Sequence, residues 1–356
     1  MGRLALLAAL LCAGSARGHI VYGGPTLHQL VADAEVVARA RIAGGDELFV
    51  IPLAVQRPVV DAELVEVWKG GLPAGRVRFA QHGHGVADFE AGDEVVVFLR
   101  AARRSPELEL LATAGALDWV SLQEHDDAWK LALATRDAVA SAVEGYASLE
   151  RVGDPARRVA GLHQLTLELL ASDEPRLASS ALQDLVRAGD ALALTRDDLV
   201  VLTPLVEDAR RPIGLRAGVL AELARRGLAP GDAPWVRLVD GARAADLPAA
   251  VRAAGAHPGP DVTARLAQVL EGVDAAAAES AAVALGTPGN QAAVEPLARA
   301  LAQGDARLRM AAIRGLGRIG TPEARAALRA AASGNDDPAA RRRAVAELRV
   351  LESARP

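Results

Sequence analysis

Two imidazoles stand two residues apart in His82-Gly83-His84, and the carboxylates of Asp88, Glu90 and Asp93 follow closely. In an extended segment, side chains at i and i+2 project to the same side, so this pair is suited to holding a transition metal. The same residue types also suit a polar loop at the rim of a β domain, and the spacing supplies no third ligand. A further imidazole enters if a leader is cut after Gly18, because His19 would then carry a free α-amine beside its ring. Amine and imidazole together chelate copper, with His82 or His84 as the second histidine. Cleavage after Ala16 would instead leave an ordinary terminus. The metal reading thus rests on His82, His84 and His19, and it competes with a chain that uses no cofactor.

Other candidate chemistry is thinner. Glu124-His125-Asp126-Asp127 reads as the acidic first turn of a helix, which the helix dipole favours, and only secondarily as a His–Asp pairing. Gly315-Leu316-Gly317-Arg318-Ile319-Gly320 has the spacing of a dinucleotide loop. That loop must follow a strand and open a helix, whereas here the segment sits at the turn of a helical repeat. His28 and His163 fall on helix faces as structural histidines, and Trp68, Trp119, Trp129 and Trp235 are isolated core or junction residues. The chain has no G-x-S-x-G elbow, H-E-x-x-H helix or P-loop, so no enzyme activity is expected.

The bounds on the chain agree with a binding role. Arg3 precedes an apolar run from Leu4 to Ala13 and a small-residue stretch to Gly18, the layout of a secretory leader over residues 1–18. The run is shorter than the roughly 20 residues a spanning helix needs, so no stable membrane insertion is expected once the leader is cut. Cys12 lies inside it, and the mature chain would have no thiol for a disulfide, a nucleophile or a thiolate metal site. A net charge of −5 argues against a nucleic-acid partner. Lysine occurs only at Lys69 and Lys130, and alanine and arginine abound, as in a GC-rich bacterium. The compartment expected is the periplasm or beyond.

Two grammars divide the mature chain. From Glu35 to Leu111, short β-branched runs are broken by glycine and proline. Ala38–Ile42 and Arg76–Phe79 alternate with period two, Asp61–Lys69 ends in Gly70-Gly71, Val95–Leu99 is apolar throughout, and Glu107–Leu110 alternates again. A short helix over Leu27–Ala34 precedes these strands, and the set predicts a small antiparallel barrel or sandwich. Asp127–Leu149 has helical spacing and no proline, which predicts one long connecting helix.

Beyond Asp154 the chain repeats itself. Asp305, Arg309, Ala312, Ile313 and Leu316 align without a gap on Asp337, Arg341, Ala344, Val345 and Leu348, an offset of 32, and Asp274 begins the preceding unit at an offset of 31. Arg216, Leu220 and Leu223 lie 93 residues before Arg309, Ile313 and Leu316, and Asp154-Pro155 with Arg158, Leu162 and Leu165 fits the same template. Aspartate caps the helix start, arginine four residues on reaches back to carbonyl or acidic groups, and the small-apolar face packs on a neighbour.

Residues 274–348 resemble HEAT repeats of the short, phycobilisome-lyase-like class, which implies an extended protein-binding surface and no shared chemistry; a chromophore-lyase activity is suggested by that class alone. The order Leu-rich helix, Ala32–Ile42, Val65–Gly70, Gly92–Arg100 is similar to the netrin-like OB barrel of secreted bacterial modules and of tissue inhibitors of metalloproteinases. Those inhibitors chelate zinc through an N-terminal cysteine that this mature chain lacks. The expected organisation is a leader (1–18), an OB-like β domain (19–122), a connecting helix (123–150) and a HEAT-type α-solenoid (151–356). Its expected role is an exported scaffold for protein partners, with a metal-binding protein or metal-dependent enzyme centred on His82 and His84 as the alternative.

Overall fold

The computed structural model describes residues 24–50, 55–81, 89–104, 117–123, 129–334 and 336–353. The chain forms two compact units, one over residues 20–193 and one from 194 to 356.

The first unit opens with helix α1 (Leu27–Asp33). Thr26 Oγ1 accepts from the Gln29 amide at 3.1 Å, and Gln29 Oε1 accepts from the Thr26 amide at 3.0 Å. This reciprocal pair satisfies two backbone donors that a helix start leaves free. Strands β1 (Val36–Val50), β2 (Val55–Lys69), β3 (Gly75–Ala80), β4 (Glu94–Ala101) and β5 (Trp119–Ser121) follow. They close a circuit in the order β1-β2-β3-β5-β4-β1, antiparallel except for β3 beside β5.

Closure follows from period-two patterning. Ala38, Ala40 and Ile42 of β1, Val60, Ala62 and Leu64 of β2, and Val95, Val97 and Leu99 of β4 all point into one core with Phe79. Register irregularities between β1 and β2 at Val37/Ala38, Arg39/Ala40 and Ile42/Gly44 bend the long hairpin, as barrel closure requires. Every residue from Val95 to Leu99 is buried, and α1 packs against β4, so the all-apolar run is covered on both faces.

The long connecting helix needs correction. Trp129–Lys130 forms a sixth strand, β6, paired with β4 through Val95↔Lys130 and Val96↔Trp129, and helix α2 runs only over Arg136–Glu150. Trp129 and Leu131 are buried while Ala132 and Leu133 are exposed, so the apolar spacing there serves a strand and then a turn. The Arg176 guanidinium covers the Trp129 ring at 4.3 Å, and Lys130 Nζ meets Asp93 Oδ2 at 2.8 Å. Helices α3 (Pro155–Leu170) and α4 (Pro175–Ala188) also pack within this unit, α3 on α2 and α4 on α1. The barrel unit therefore takes in α3, the first helix that matches the repeat template. The expected strand at 107–110 lies outside the described residues.

The second unit consists of helix pairs: α5 (Leu199–Glu207) with α6 (Ile213–Arg225), α7 (Ala233–Asp240) with α8 (Leu247–Ala254), α9 (Pro260–Leu270) with α10 (Ala275–Leu285), α11 (Val294–Gln303) with α12 (Ala306–Ile319), and α13 (Pro322–Gly334) with α14 (Pro338–Ser353). Helices α6, α8, α10, α12 and α14 stack as one layer, and α5, α7, α9, α11 and α13 as the other. Each pair buries its apolar stripe only against its neighbours, which is why the units stack.

The template aspartates act as read: Asp274 Oδ1 accepts from the Ala277 amide (2.9 Å), Asp305 Oδ1 from Leu308 (2.8 Å) and Asp337 Oδ1 from Ala339 (2.8 Å). Small residues set the layer spacing. A Cβ on Gly255 would stand 2.4 Å from Ala284 Cβ, and one on Gly286 would stand 2.6 Å from Gly315 Cα. No helix among the described residues is long and apolar enough to cross a membrane.

Candidate functional site

Several sequence candidates resolve into structural roles. In the G-x-G-x-x-G segment, a Cβ on Gly315 would lie 2.7 Å from the Ala282 carbonyl oxygen, and Gly320 ends α12 in the left-handed region at φ 67°. These glycines serve helix contact and a helix end. His28 stacks on Tyr146 at 5.1 Å, and its Nδ1 is 4.0 Å from Asp184 Oδ1, while the Tyr146 hydroxyl donates to Asp184 Oδ2 at 3.2 Å. This buried cluster ties α1, α2 and α4 together. Burial pushes both the Asp184 carboxyl and the Tyr146 hydroxyl up from their ordinary values. Trp235 stacks on His257 at 3.9 Å, and burial lowers the His257 pKa. His163 is half-buried on α3, and Trp119 packs against the barrel core. His82, His84, His19 and Asp88 lie outside the described residues, as does 124–127. Of the acidic residues near the histidine pair, Asp93 is engaged by Lys130 and by the Glu90 amide.

Sequence reading passed over a groove in the second unit, between α5, α6 and α7. Its volume is about 490 Å³, within the roughly 300–1,000 Å³ range of small-ligand sites. Leu199 and Val206 of α5, Leu220 and Leu223 of α6, and Leu238 of α7 form the walls, and the turn Leu228–Pro230 closes one end. An apolar α5, Leu-Val-Val-Leu-Thr-Pro-Leu-Val-Glu, leaves Val200 80% exposed one turn before Thr203, which lines the mouth.

Within these apolar walls stands Arg216, only 3% exposed. Its Nε donates to the Val206 carbonyl at 2.7 Å, the backward reach that the template arginine makes elsewhere: Arg158 to Val152 and Arg309 to Gly304. Burial lowers its pKa, partly offset by Asp208 and Asp246. Among the described residues no carboxylate lies within ion-pair distance of Arg216, and its Nη atoms have no hydrogen-bond partner. The acids around it are already held. Hydrogen bonds from Arg210 bring the Asp208 carboxyl down to about 2, and Arg243 meets Asp246 at 2.7 Å. At the rim, Arg237 meets Glu207 at 3.3 Å and Arg265 meets Asp240 at 2.6 Å.

The repeat register explains the missing acid. In the last units, Arg309 Nη1 lies 3.8 Å from Asp337, the cap of the next repeat. Stepping back 31 residues at a time from Asp305 and Asp274, the corresponding cap position after Arg216 holds Arg243, and the cap before it holds Pro212. The signal was therefore present in the sequence as two broken cap positions around an intact arginine.

Comparison with known proteins places the repeats. A family model described as HEAT repeats matches residues 263–349. No curated protein matches the chain. A designed armadillo repeat protein is similar in structure at 17% identity and a TM-score of 0.33, covering 57% of this chain and 97% of the designed one. Given the stacked helix pairs, their aspartate caps and the family match, the chain joins a small closed β-barrel to a helical solenoid whose residues 263–349 match the HEAT-repeat family model.

Proposed function

We propose that this protein is an exported, non-catalytic scaffold that holds a protein partner on its HEAT-repeat surface. The observation that carries the reading is the two-layer stack itself, with each pair supported by its neighbours. Exposed valines on that unit, Val200 at 80%, Val273 fully exposed and Val350 at 61%, add apolar contact points to an otherwise charged surface. Export rests on the leader layout of residues 1–18 and places the protein in the periplasm or outside the cell. The 31–32-residue period favours the short, phycobilisome-lyase-like class of repeat. The strand circuit β1-β2-β3-β5-β4, with β3 parallel to β5, favours an OB-type barrel related to the netrin-like modules.

The test has two parts. Cell fractionation with N-terminal sequencing should find a mature chain beginning after Ala16 or Gly18 in the envelope or medium; an intact cytoplasmic chain would refute export. Affinity purification of the full chain from cross-linked cells should return one protein reproducibly and in stoichiometric amount. Recovery of none would refute the scaffold role and turn attention to metal binding by His82 and His84, assayed by metal retention in wild type and in a His82→Ala/His84→Ala variant.

A further inference from the structure

The geometry points to the Arg216 groove as a binding site for an aliphatic carboxylate, a ligand with one anionic head on an unbranched or small-branched apolar body. This goes beyond the scaffold reading and stands or falls separately from it. Arg216 is 3% exposed, spends only Nε on the Val206 carbonyl, and leaves both Nη atoms without a partner among the described residues. A buried guanidinium is ordinarily matched by a carboxylate that receives two parallel N–H bonds. Here the repeat position that places a carboxylate 3.8 Å from Arg309, as Asp337, holds Arg243 instead.

The nearby acids cannot substitute. Asp208 is bound by Arg210, Asp246 by Arg243, Asp240 by Arg265 and Glu207 by Arg237. Arg216 also sits in the first turn of α6, where the helix dipole already favours negative charge, and α6 has no acidic residue in that turn. A buried guanidinium thus stands in a cavity whose apolar walls are Leu199, Leu220, Leu223, Leu228 and Leu238. Thr203 supplies a polar group, and the charged residues that also line the groove are taken up in ion pairs, Glu207 with Arg237 and Asp240 with Arg265. A ligand rich in amides or hydroxyls would leave those groups unsatisfied there, whereas an alkyl chain would not. The wall chemistry and the unmatched cation select the same ligand from opposite ends.

Titration calorimetry on the full mature chain tests this, with decanoate and decanol as probes and an aliphatic tetrapeptide, Leu-Val-Leu-Val, offered as free acid and as amide. Decanoate should bind saturably, and roughly tenfold or more tighter than decanol, the discrimination a charge-assisted hydrogen bond confers. Arg216→Gln should erase that preference. Because Arg216→Gln also removes the bond to Val206, Thr203→Trp serves as the second variant: it fills the mouth from an exposed position and should abolish binding with the circular dichroism unchanged. If the peptide acid outbinds decanoate and its amide is silent, the natural source is a chain terminus; if decanoate outbinds it, the source is a free acid. Absence of saturable decanoate binding, equal affinity for decanol, or unchanged binding in Thr203→Trp would overturn the proposal.

Discussion

Replacing Gly315 by alanine probes the close layer contact that the repeats depend on. In an isolated helix this change would be favourable by about 1 kcal/mol, since alanine has the higher helix propensity. In this fold the new Cβ would lie 2.7 Å from the Ala282 carbonyl oxygen and 3.1 Å from Leu297 Cδ1. Leu297 can rotate away, but Ala282 is backbone of α10 and can move only if the two helices separate. Overpacking costs about 1–3 kcal/mol, and a backbone neighbour at this distance puts the cost in the upper part of that range, at about 2–3, so the net expectation is a loss of roughly 1–2 kcal/mol after the propensity gain. Because stacked repeats need not unfold in one step, the readout is native-state hydrogen exchange of the α10 and α12 amides beside urea unfolding. Gly214→Ala is the internal control: it lies in the first turn of α6 with nothing within 4 Å of its Cβ, and it should gain a few tenths to about 1 kcal/mol. Equal or greater protection in Gly315→Ala than in wild type would refute the close-contact account of this glycine.

Other outcomes follow from the same geometry. Asp274→Ala and Asp305→Ala each remove a side-chain cap and should cost about 1 kcal/mol by urea unfolding, with asparagine at the same positions restoring most of it. Tyr146→Phe removes the hydroxyl that donates to buried Asp184 and should destabilise the barrel unit by roughly 1–3 kcal/mol in thermal melts. His257 titrates below its unfolded value of about 6.5 because burial disfavours the imidazolium. Between the two values the unfolded chain binds the extra proton, so the stability from neutral His257 is complete above about 6.5 and is lost as pH falls toward the folded pKa. His257→Phe, which keeps an aromatic ring against Trp235, should flatten that part of the urea-midpoint profile, and an unchanged slope would show that another group titrates there.

Much of the architecture was legible because it rests on short-range rules. Period-two alternation in Ala38–Ile42 and Arg76–Phe79 marks strands whichever partners they find, and an aspartate before an apolar helix marks a cap wherever the helix packs. Features set by partners were not legible. Trp129–Lys130 has no strand signature of its own and becomes β6 because β4 offers a free edge there. Helix α3 carries the repeat template yet packs on α2, since contact with the barrel side is not encoded in the template. Arg216 was visible only as a template match; its significance came from the acid that Arg243 displaces, and its burial from three helices meeting around it. The histidine segment at 82–84, the most chemically suggestive stretch of the sequence, lies outside the described residues.

The central claim, a protein-binding repeat surface, is tested most directly by site-specific photo-cross-linking in the producing cells. A photoreactive residue would replace Val200, Val273 or Val350 on the repeats, or Val65 on the barrel as a reference, all exposed positions where substitution leaves the core intact. The account predicts that one protein is cross-linked in common from at least two repeat positions and not from Val65. Cross-links confined to Val65, or no adduct from any repeat position, would contradict it.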